Sequence, residues 1–260
     1  MLGPKVLTAA VAVPIAIALL FLGGLPLFLV VTAAMLVGLQ EFYRAVRIKG
    51  IYPFELGGWA CAIGIAAATH FVTWDHAYRS GVITACIAGA VLTAMIAQFR
   101  RPEGSSVIAN SGATVFGVVW VALLFSFMLR LRALPLSDIA SVPVGGFRDR
   151  AGILFLVMLT VCLQDSFAQI TGMLIGKRKL WPNISPGKSL EGCIGGFIAA
   201  VITSTVAGTL MGLPPLELAG LGVVLGVFGQ LGDFCKSMIK RELGIKDFGK
   251  IIPGHGGVLD

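Results

Sequence analysis

The chain has 260 residues, of which 57% are hydrophobic and 13% are charged, about half the roughly 25% charged fraction of a soluble domain. Its mean hydropathy of +0.91 excludes a water-soluble globular protein and indicates an integral membrane protein. The 20 Lys and Arg exceed the 13 Asp and Glu, giving a formal net charge of +7. Because this excess lies between apolar runs and not on a solvated face, we expect no nucleic-acid partner.

The apolar runs predict eight transmembrane helices in chain order. The charge-free run from Val6 to Gln40 is too long for one span, and Gly23-Gly24-Leu25-Pro26 divides it into a tight pair near 6–22 and 26–43. Further spans are predicted near 57–74, 80–99, 110–130, 151–175, 191–212 and 216–235. The predicted fold is an all-α, polytopic transmembrane bundle forming one integral membrane domain, 1–260. Residues 1–150 form mainly membrane scaffold, and residues 151–260 form the catalytic half with its cytoplasmic loops.

The positions of Lys and Arg predict the orientation of the chain. Because successive loops alternate between the two sides of the membrane, five of the 20 Lys and Arg residues fall on one side. The other Lys and Arg residues fall on the side of the amino terminus. Since Lys and Arg concentrate on the cytoplasmic side, the amino terminus and both polar segments of the carboxy-terminal half are predicted to be cytoplasmic. The five on the opposite side are Arg79, Arg130, Arg132, Arg148 and Arg150.

Small residues recur at four-residue spacing in the last two predicted spans, as Gly192 with Gly196 and Gly222 with Gly226. This spacing lets helix backbones approach closely. It predicts either packing within the chain or the seam of a homodimer.

Two polar stretches interrupt the apolar pattern, and the first begins at Gln164-Asp165 and ends at Glu191. Asp165 lies inside a predicted span, where a carboxylate costs about 2.5–3.5 kcal/mol on insertion scales. We therefore interpret Asp165 as a functional candidate. The alternative is a buried Asp satisfied by a neighbouring hydroxyl or Arg.

The second polar stretch runs from Gly232-Asp233 to Asp260. Helical spacing puts Ser237 and Lys240 on the same stripe as Asp233. The glycines of Ile252-Pro-Gly-His-Gly-Gly257 permit turns that bring backbone N–H groups close to a phosphate. Carboxylates, cations and a glycine loop are what an Mg²⁺-bridged polyphosphate requires, although a solvated basic loop is the alternative.

These residues resemble a known family. Ser237-Met-Ile-Lys-Arg241, Lys246-Asp-Phe-Gly249 and Ile252-Pro-Gly-His-Gly-Gly-Val-Leu-Asp260 are similar to the signature of the phosphatidate cytidylyltransferases, also called CDP-diacylglycerol synthases. Asp165, the following Gly-Lys-Arg-Lys and the string Ser185-Pro-Gly-Lys-Ser-Leu-Glu-Gly192 resemble a second region of the same family. The amino-terminal half resembles it only in hydropathy.

The resemblance implies an enzyme of a bacterial inner membrane that joins CTP and phosphatidic acid into CDP-diacylglycerol and pyrophosphate, using Mg²⁺. It implies metal binding by Asp233 and Asp260, with Asp165 serving a second cation or the nucleotide. It also implies a catalytic set of Asp233, Lys240, Arg241, Lys246 and Asp260 and a substrate-binding set of Ser185, Lys188, Ser237, His255 and Lys177. The partners that it implies are CTP, phosphatidic acid and membrane lipids.

The family pattern continues after its last aspartate with an Arg, a further acid and another hydrophobic span. This sequence ends at Asp260. We therefore expect a further carboxy-terminal span to be missing.

Two rival functions are also compatible with the sequence. A secondary transporter would also be apolar with sparse intramembrane acids, but it usually places polar residues near the midplane in both halves of a repeat. A CTP-dependent lipid kinase is the closer rival, and it would release CDP in place of pyrophosphate.

Overall fold

The computed structural model describes residues 14–72, 75–134, 147–252, 254 and 256–260. For residues 147–150 it describes the backbone alone. The structure there is helical, with two isolated antiparallel bridges. The helices are α1 (14–22), α2 (Gly24–Arg47), α3 (Glu55–Phe71), α4 (His76–Ala97), α5 (Val107–Gly117), α6 (Leu124–Ala133), α7 (Phe147–Ile175), α8 (Leu190–Leu210) and α9 (Pro215–Leu243). A 3₁₀ turn, Gln98–Arg100, extends α4, and a π-helical segment, Val118–Leu123, joins α5 to α6.

The prediction of an all-α, polytopic membrane protein is confirmed. Each predicted span coincides with a helix over its described part; residues 6–13 of the first and 73–74 of the third lie outside the described residues. Six helices in the described part of the chain are long and apolar enough to cross a membrane. In this count α5, the π-helical segment and α6 form one continuous helix, Val107–Ala133. Of the others, α3 has 17 residues, close to the lower limit of about 17 for a span.

The break predicted near residue 24 is observed at Gly23. Gly23 and Gly24 have φ angles of 59° and 54°, a region that glycine enters without steric cost. Pro26 lies in the first turn of α2, where its missing N–H removes no helical hydrogen bond.

The chain divides into two compact units, one of Met1–Leu131 with Leu243–Asp260 and the other of Arg132–Glu242. The carboxy-terminal segment from Leu243 therefore belongs with the helices that we predicted as scaffold. The proposal of a single membrane domain stays a prediction.

In the first unit, α2, α3 and α5 pack around Tyr43, whose side chain is fully buried. The Tyr43 hydroxyl donates to the Thr114 carbonyl at 3.0 Å. Gly58 and Gly117 face the ring, and a Cβ at Gly117 would lie 2.6 Å from Tyr43 Cε1. These glycines let the three backbones approach the aromatic ring closely.

In the second unit, α7 packs along α8, and α9 contacts both helices. Gln164 of α7 is fully buried, and its Nε2 donates to the Gly226 carbonyl of α9 at 3.1 Å. A Cβ at Gly196 would lie 2.8 Å from Ala168 Cβ, and one at Gly222 would lie 2.6 Å from Val201 Cα. The small-residue spacing therefore serves packing within the chain, the first of the two predicted options.

Candidate active site

A cavity of about 610 Å³ opens in the second unit. This volume is in the range of about 300–1,000 Å³ typical of small-molecule sites. Its walls come from α7, the loop 176–189 and the adjoining parts of α8 and α9. The lining residues are Asp165, Ala168, Gln169, Gly172, Met173, Lys179, Gly187, Lys188, Ser189, Gly192, Cys193, Gln230 and Asp233.

Two carboxylates line this cavity from different helices. Asp165 and Gln169 are four residues apart on α7, so helical periodicity turns both side chains to the same face. Gln230 and Asp233 share a face of α9 in the same way, and Gln230 Nε2 donates to the Cys193 carbonyl at 2.8 Å. Asp165 and Asp233 thus line one cavity from α7 and α9. The resemblance implied that Asp165 serves a second cation or the nucleotide, and the structure places it in the same cavity as Asp233.

Two lysines hold the Asp233 carboxylate. Lys188 Nζ forms an ion pair with Asp233 Oδ2, and Lys236 Nζ lies 3.1 Å from Asp233 Oδ1. Lys188 Nζ also lies 4.4 Å from the centre of the Phe234 ring, within cation–π range. Asp233 and its two lysines are only about a quarter to a third exposed, so their attraction is screened less than a surface pair would be.

The loop 176–189 is closed at its base, which fixes the position of Lys188. Glu191 accepts hydrogen bonds from the backbone N–H groups of Lys177, at 3.1 Å, and Arg178, at 3.2 Å. Lys179 and Ser189 form an antiparallel bridge. Ser189 then caps α8 by accepting from the Gly192 N–H at 3.2 Å.

Two predicted substrate-binding residues belong to this loop without lining the cavity. Lys177 is exposed, and its backbone N–H is one of those bound by Glu191. Ser185 is half-buried, and its N–H donates to the Trp181 carbonyl at 2.9 Å. Arg241 of α9 contacts the same loop, because its Nε donates to the Ile184 carbonyl at 3.1 Å. The structure therefore gives Arg241 a role in holding the loop.

Ser237 and Lys240 follow Asp233 on α9, as helical spacing predicts. Both are half-buried, and neither is among the residues that line the cavity. Their predicted contacts with substrate stay predictions.

Two of the remaining predicted site residues, Asp260 and Lys246, lie in the other compact unit. Asp260 Oδ2 accepts from the backbone N–H groups of Phe248, at 2.7 Å, and Gly257, at 2.9 Å. Lys246 is exposed, and His255 lies outside the described residues. The sharing of one metal ion by Asp233 and Asp260 stays a prediction, because these residues belong to different units.

The donor groups of the cavity suit a hard divalent cation. Asp165 and Asp233 supply carboxylate oxygens, which Mg²⁺ prefers. No cluster of three or more His, Cys, Asp or Glu that could hold a metal occurs in the described ranges. Mg²⁺ usually takes one or two protein carboxylates and completes its shell with water and substrate phosphates, so a pair of acids is an adequate protein contribution.

Four residues with clear roles were not singled out from the sequence. Gln230 and Lys236 flank Asp233 at i−3 and i+3, a spacing that could have identified them. Glu191 belonged to a quoted motif, but its bonds to the loop backbone leave no sequence pattern. Glu41, the first charged residue after the long apolar run, is buried in the first unit and bonds to the carboxy-terminal segment.

Comparison with known proteins identifies relatives over almost the entire sequence. A family model described as "Cytidylyltransferase family" matches residues 4–260. Phosphatidate cytidylyltransferase of Bacillus subtilis is 28% identical over 263 residues, covering 98% of this chain and 90% of the relative. The Synechocystis protein of the same name is 30% identical, with the same two coverages. That of Mycobacterium tuberculosis strain H37Rv is 31% identical over 248 residues, covering 89% of this chain and 69% of the relative.

Proposed function

Because the chain belongs to the cytidylyltransferase family, we propose that it is a membrane nucleotidyltransferase that converts CTP and phosphatidic acid into CDP-diacylglycerol and pyrophosphate. The observation that carries this proposal is the cavity in which Asp165 and Asp233 face Lys179 and Lys188 between apolar helices.

The chemistry is an attack of a phosphate oxygen of the lipid on the α-phosphorus of CTP. The new P–O bond forms as the bond to the β-phosphate breaks, and pyrophosphate leaves with that electron pair. The lipid phosphate is already an anion, so no protein base is required. Catalysis then depends on positioning and on neutralising negative charge.

The residues of the cavity divide this work. Asp165 and Asp233 would hold Mg²⁺, which supplies charge neutralisation on the polyphosphate oxygens. Lys179 and Lys188 would bind phosphate oxygens as point charges. Lys188 is held between Asp233 and the Phe234 ring. We propose that it transfers from the carboxylate to a phosphate when substrate binds, which frees Asp233 for the cation.

An apolar groove supports the assignment of a lipid substrate. The groove has a volume of about 270 Å³ and shares Cys193 and Gln230 with the polar cavity. Its other walls are apolar or aromatic, including Trp181 and Phe234, whose rings pack edge to face at 4.7 Å. A headgroup in the cavity can therefore be continuous with an acyl chain along the groove.

The proposed location is the inner membrane of a bacterial cell, with the site facing the cytoplasm. The distribution of Lys and Arg supports this orientation, since basic loops concentrate on the cytoplasmic side. CTP is a cytoplasmic solute, and phosphatidic acid presents its headgroup at the same interface.

The test is a turnover assay of the full chain with CTP and phosphatidic acid in mixed micelles, with and without Mg²⁺. We expect Mg²⁺-dependent release of pyrophosphate together with CDP-diacylglycerol. Release of CDP with a newly phosphorylated lipid would contradict the proposal and identify a lipid kinase.

The matched variants are Asp233→Asn and Glu217→Gln, which each remove one carboxylate. Asp233→Asn should abolish turnover, because it removes a cation ligand and the partner of two lysines. Glu217 is exposed near the start of α9, so its replacement should leave turnover unchanged. Undiminished Mg²⁺-dependent turnover in Asp233→Asn would refute the metal assignment.

A further inference from the structure

Glu41 is a buried carboxylate in the last third of α2, with only 4% of its surface exposed. Its Oε1 accepts from the Val258 N–H at 3.1 Å, and its Oε2 accepts from the Leu259 N–H at 3.0 Å. Among the ion pairs between described residues, none involves Glu41. A buried charge requires compensation, and here two backbone donors more than 200 residues away in sequence provide it.

Two glycines of the carboxy-terminal segment leave the space that this carboxylate occupies. A Cβ at Gly249 or at Gly257 would collide with the Glu41 carboxylate group. Gly257 is itself buried. The absence of side chains at both positions lets the segment fold around Glu41 from two sides.

The same face of α2 receives the side chain of the residue next to Asp260. Gly38 lies one turn before Glu41, and a Cβ there would be 3.2 Å from Leu259 Cδ2. Leu259 is thus fixed both at its N–H, by Glu41, and at its side chain, by the surface of Gly38. Asp260 follows directly, so little rotation of its backbone is left.

Asp260 links the two ends of the segment. Its Oδ2 binds the N–H groups of Phe248 and Gly257, so it closes the turn that Glu41 supports at Val258 and Leu259. One carboxylate from α2 and one from the segment therefore hold the backbone at Phe248, Gly257, Val258 and Leu259.

We propose that Glu41 is a positioning residue for the transferase reaction, which fixes the segment 248–260 and thereby the orientation of the Asp260 carboxylate. This inference rests on the proposed function and on the metal-binding role that the family resemblance implies for Asp260. Glu41 touches no reacting atom in this role; it acts through the backbone of Val258 and Leu259. Loss of its two hydrogen bonds should loosen the segment and misplace Asp260, with α2 itself intact.

The experiment compares Glu41→Ala and Glu41→Gln with Glu103→Gln in the full chain. Glu103 is an exposed residue of the turn before α5 in the same unit, so its variant removes an equal charge without touching the segment. Glutamine keeps one oxygen acceptor and the shape of Glu41, so Glu41→Gln provides a folded comparison if the alanine variant fails to fold.

Two readouts are required. Hydrogen–deuterium exchange of residues 248–260 should accelerate in Glu41→Ala, less in Glu41→Gln, and not in Glu103→Gln. The Mg²⁺ concentration for half-maximal turnover should rise in the same order. In Glu41→Ala, kcat should fall on the order of 10-fold to 100-fold, as expected for misplaced groups, with a smaller change in KM for phosphatidic acid.

Unchanged exchange in Glu41→Ala would overturn the proposal, because the segment would then be held without this carboxylate. Faster exchange with wild-type kcat and Mg²⁺ dependence would also overturn it, because the contact would serve stability alone. Absence of turnover in the unmodified chain would instead refute the proposed function and with it the catalytic part of this inference. The exchange comparison would still decide whether Glu41 holds the segment.

Discussion

Replacing Gly192 by alanine is expected to force α7 and α8 apart. A methyl group at this position would lie 2.7 Å from the Ala168 carbonyl oxygen and 3.1 Å from Gly172 Cα. Carbon atoms in ordinary contact are about 3.5–4.0 Å apart. Both neighbours are backbone atoms that cannot rotate away, so the helices must separate by several tenths of an ångström. Asp165 lies one turn from Ala168 and should move with α7.

The magnitude follows from two opposing effects. Overpacking of this kind costs about 1–3 kcal/mol. Replacement of a helical glycine by alanine contributes about 0.5–1 kcal/mol in the opposite direction. Gly220→Ala isolates the steric effect, because Gly220 is helical and has open space around its Cβ direction. The free energies of unfolding of the two variants should therefore differ by about 1–3 kcal/mol.

Equilibrium unfolding of the full chain in mixed detergent micelles measures this difference. The turnover of Gly192→Ala should also fall below that of Gly220→Ala, because Gly192 lines the cavity and Gly220 does not. Equal free energies of unfolding for the two variants would refute the reasoning, since they would mean that α7 and α8 have room for a methyl group.

Three further outcomes are expected. Asp165→Asn should raise the Mg²⁺ concentration for half-maximal turnover, measured by pyrophosphate release; an unchanged concentration would remove Asp165 from the metal site. Glu191→Gln should speed tryptic cleavage of the loop 176–189, since it weakens the bonds to the loop backbone, whereas cleavage equal to that of Glu217→Gln would contradict this role. Lys179→Cys should react with a membrane-impermeant maleimide only from the cytoplasmic face, above the background of the unmodified chain, and labelling from outside would contradict the proposed orientation.

Hydropathy was sufficient to predict the helices, because a long apolar run in a membrane has few other ways to satisfy its backbone. The same reasoning identified Asp165, since a carboxylate inside a membrane span is energetically costly and therefore indicates a functional role. The position of Asp165 beside Asp233 could not be predicted. That neighbourhood depends on how α7 and α9 pack, and apolar periodicity does not encode it.

Contacts between segments that are distant in sequence were the main feature that the sequence did not predict. Glu41 binds Val258 and Leu259, which are more than 200 residues away, and no local pattern announces such a pair. The roles of Arg241 and Glu191 were missed for a related reason: both bind backbone groups of the loop 176–189, and backbone groups carry no sequence signal. Residue type and spacing indicated the chemistry of these segments. The contacts between the segments depend on the three-dimensional fold and could not be predicted from sequence patterns.

The pairing of Asp233 with Lys188 and Lys236 bears on the order in which ligands arrive. With Asp165 and Lys179 also in the cavity, two acidic groups face three basic ones, a near balance of charge before any substrate enters. Binding of a divalent cation alone would add positive charge to that balance among apolar helices. Binding of the triphosphate alone would add negative charge. We expect the ion and the nucleotide to enter as one complex, so that the electrical imbalance at each step stays small.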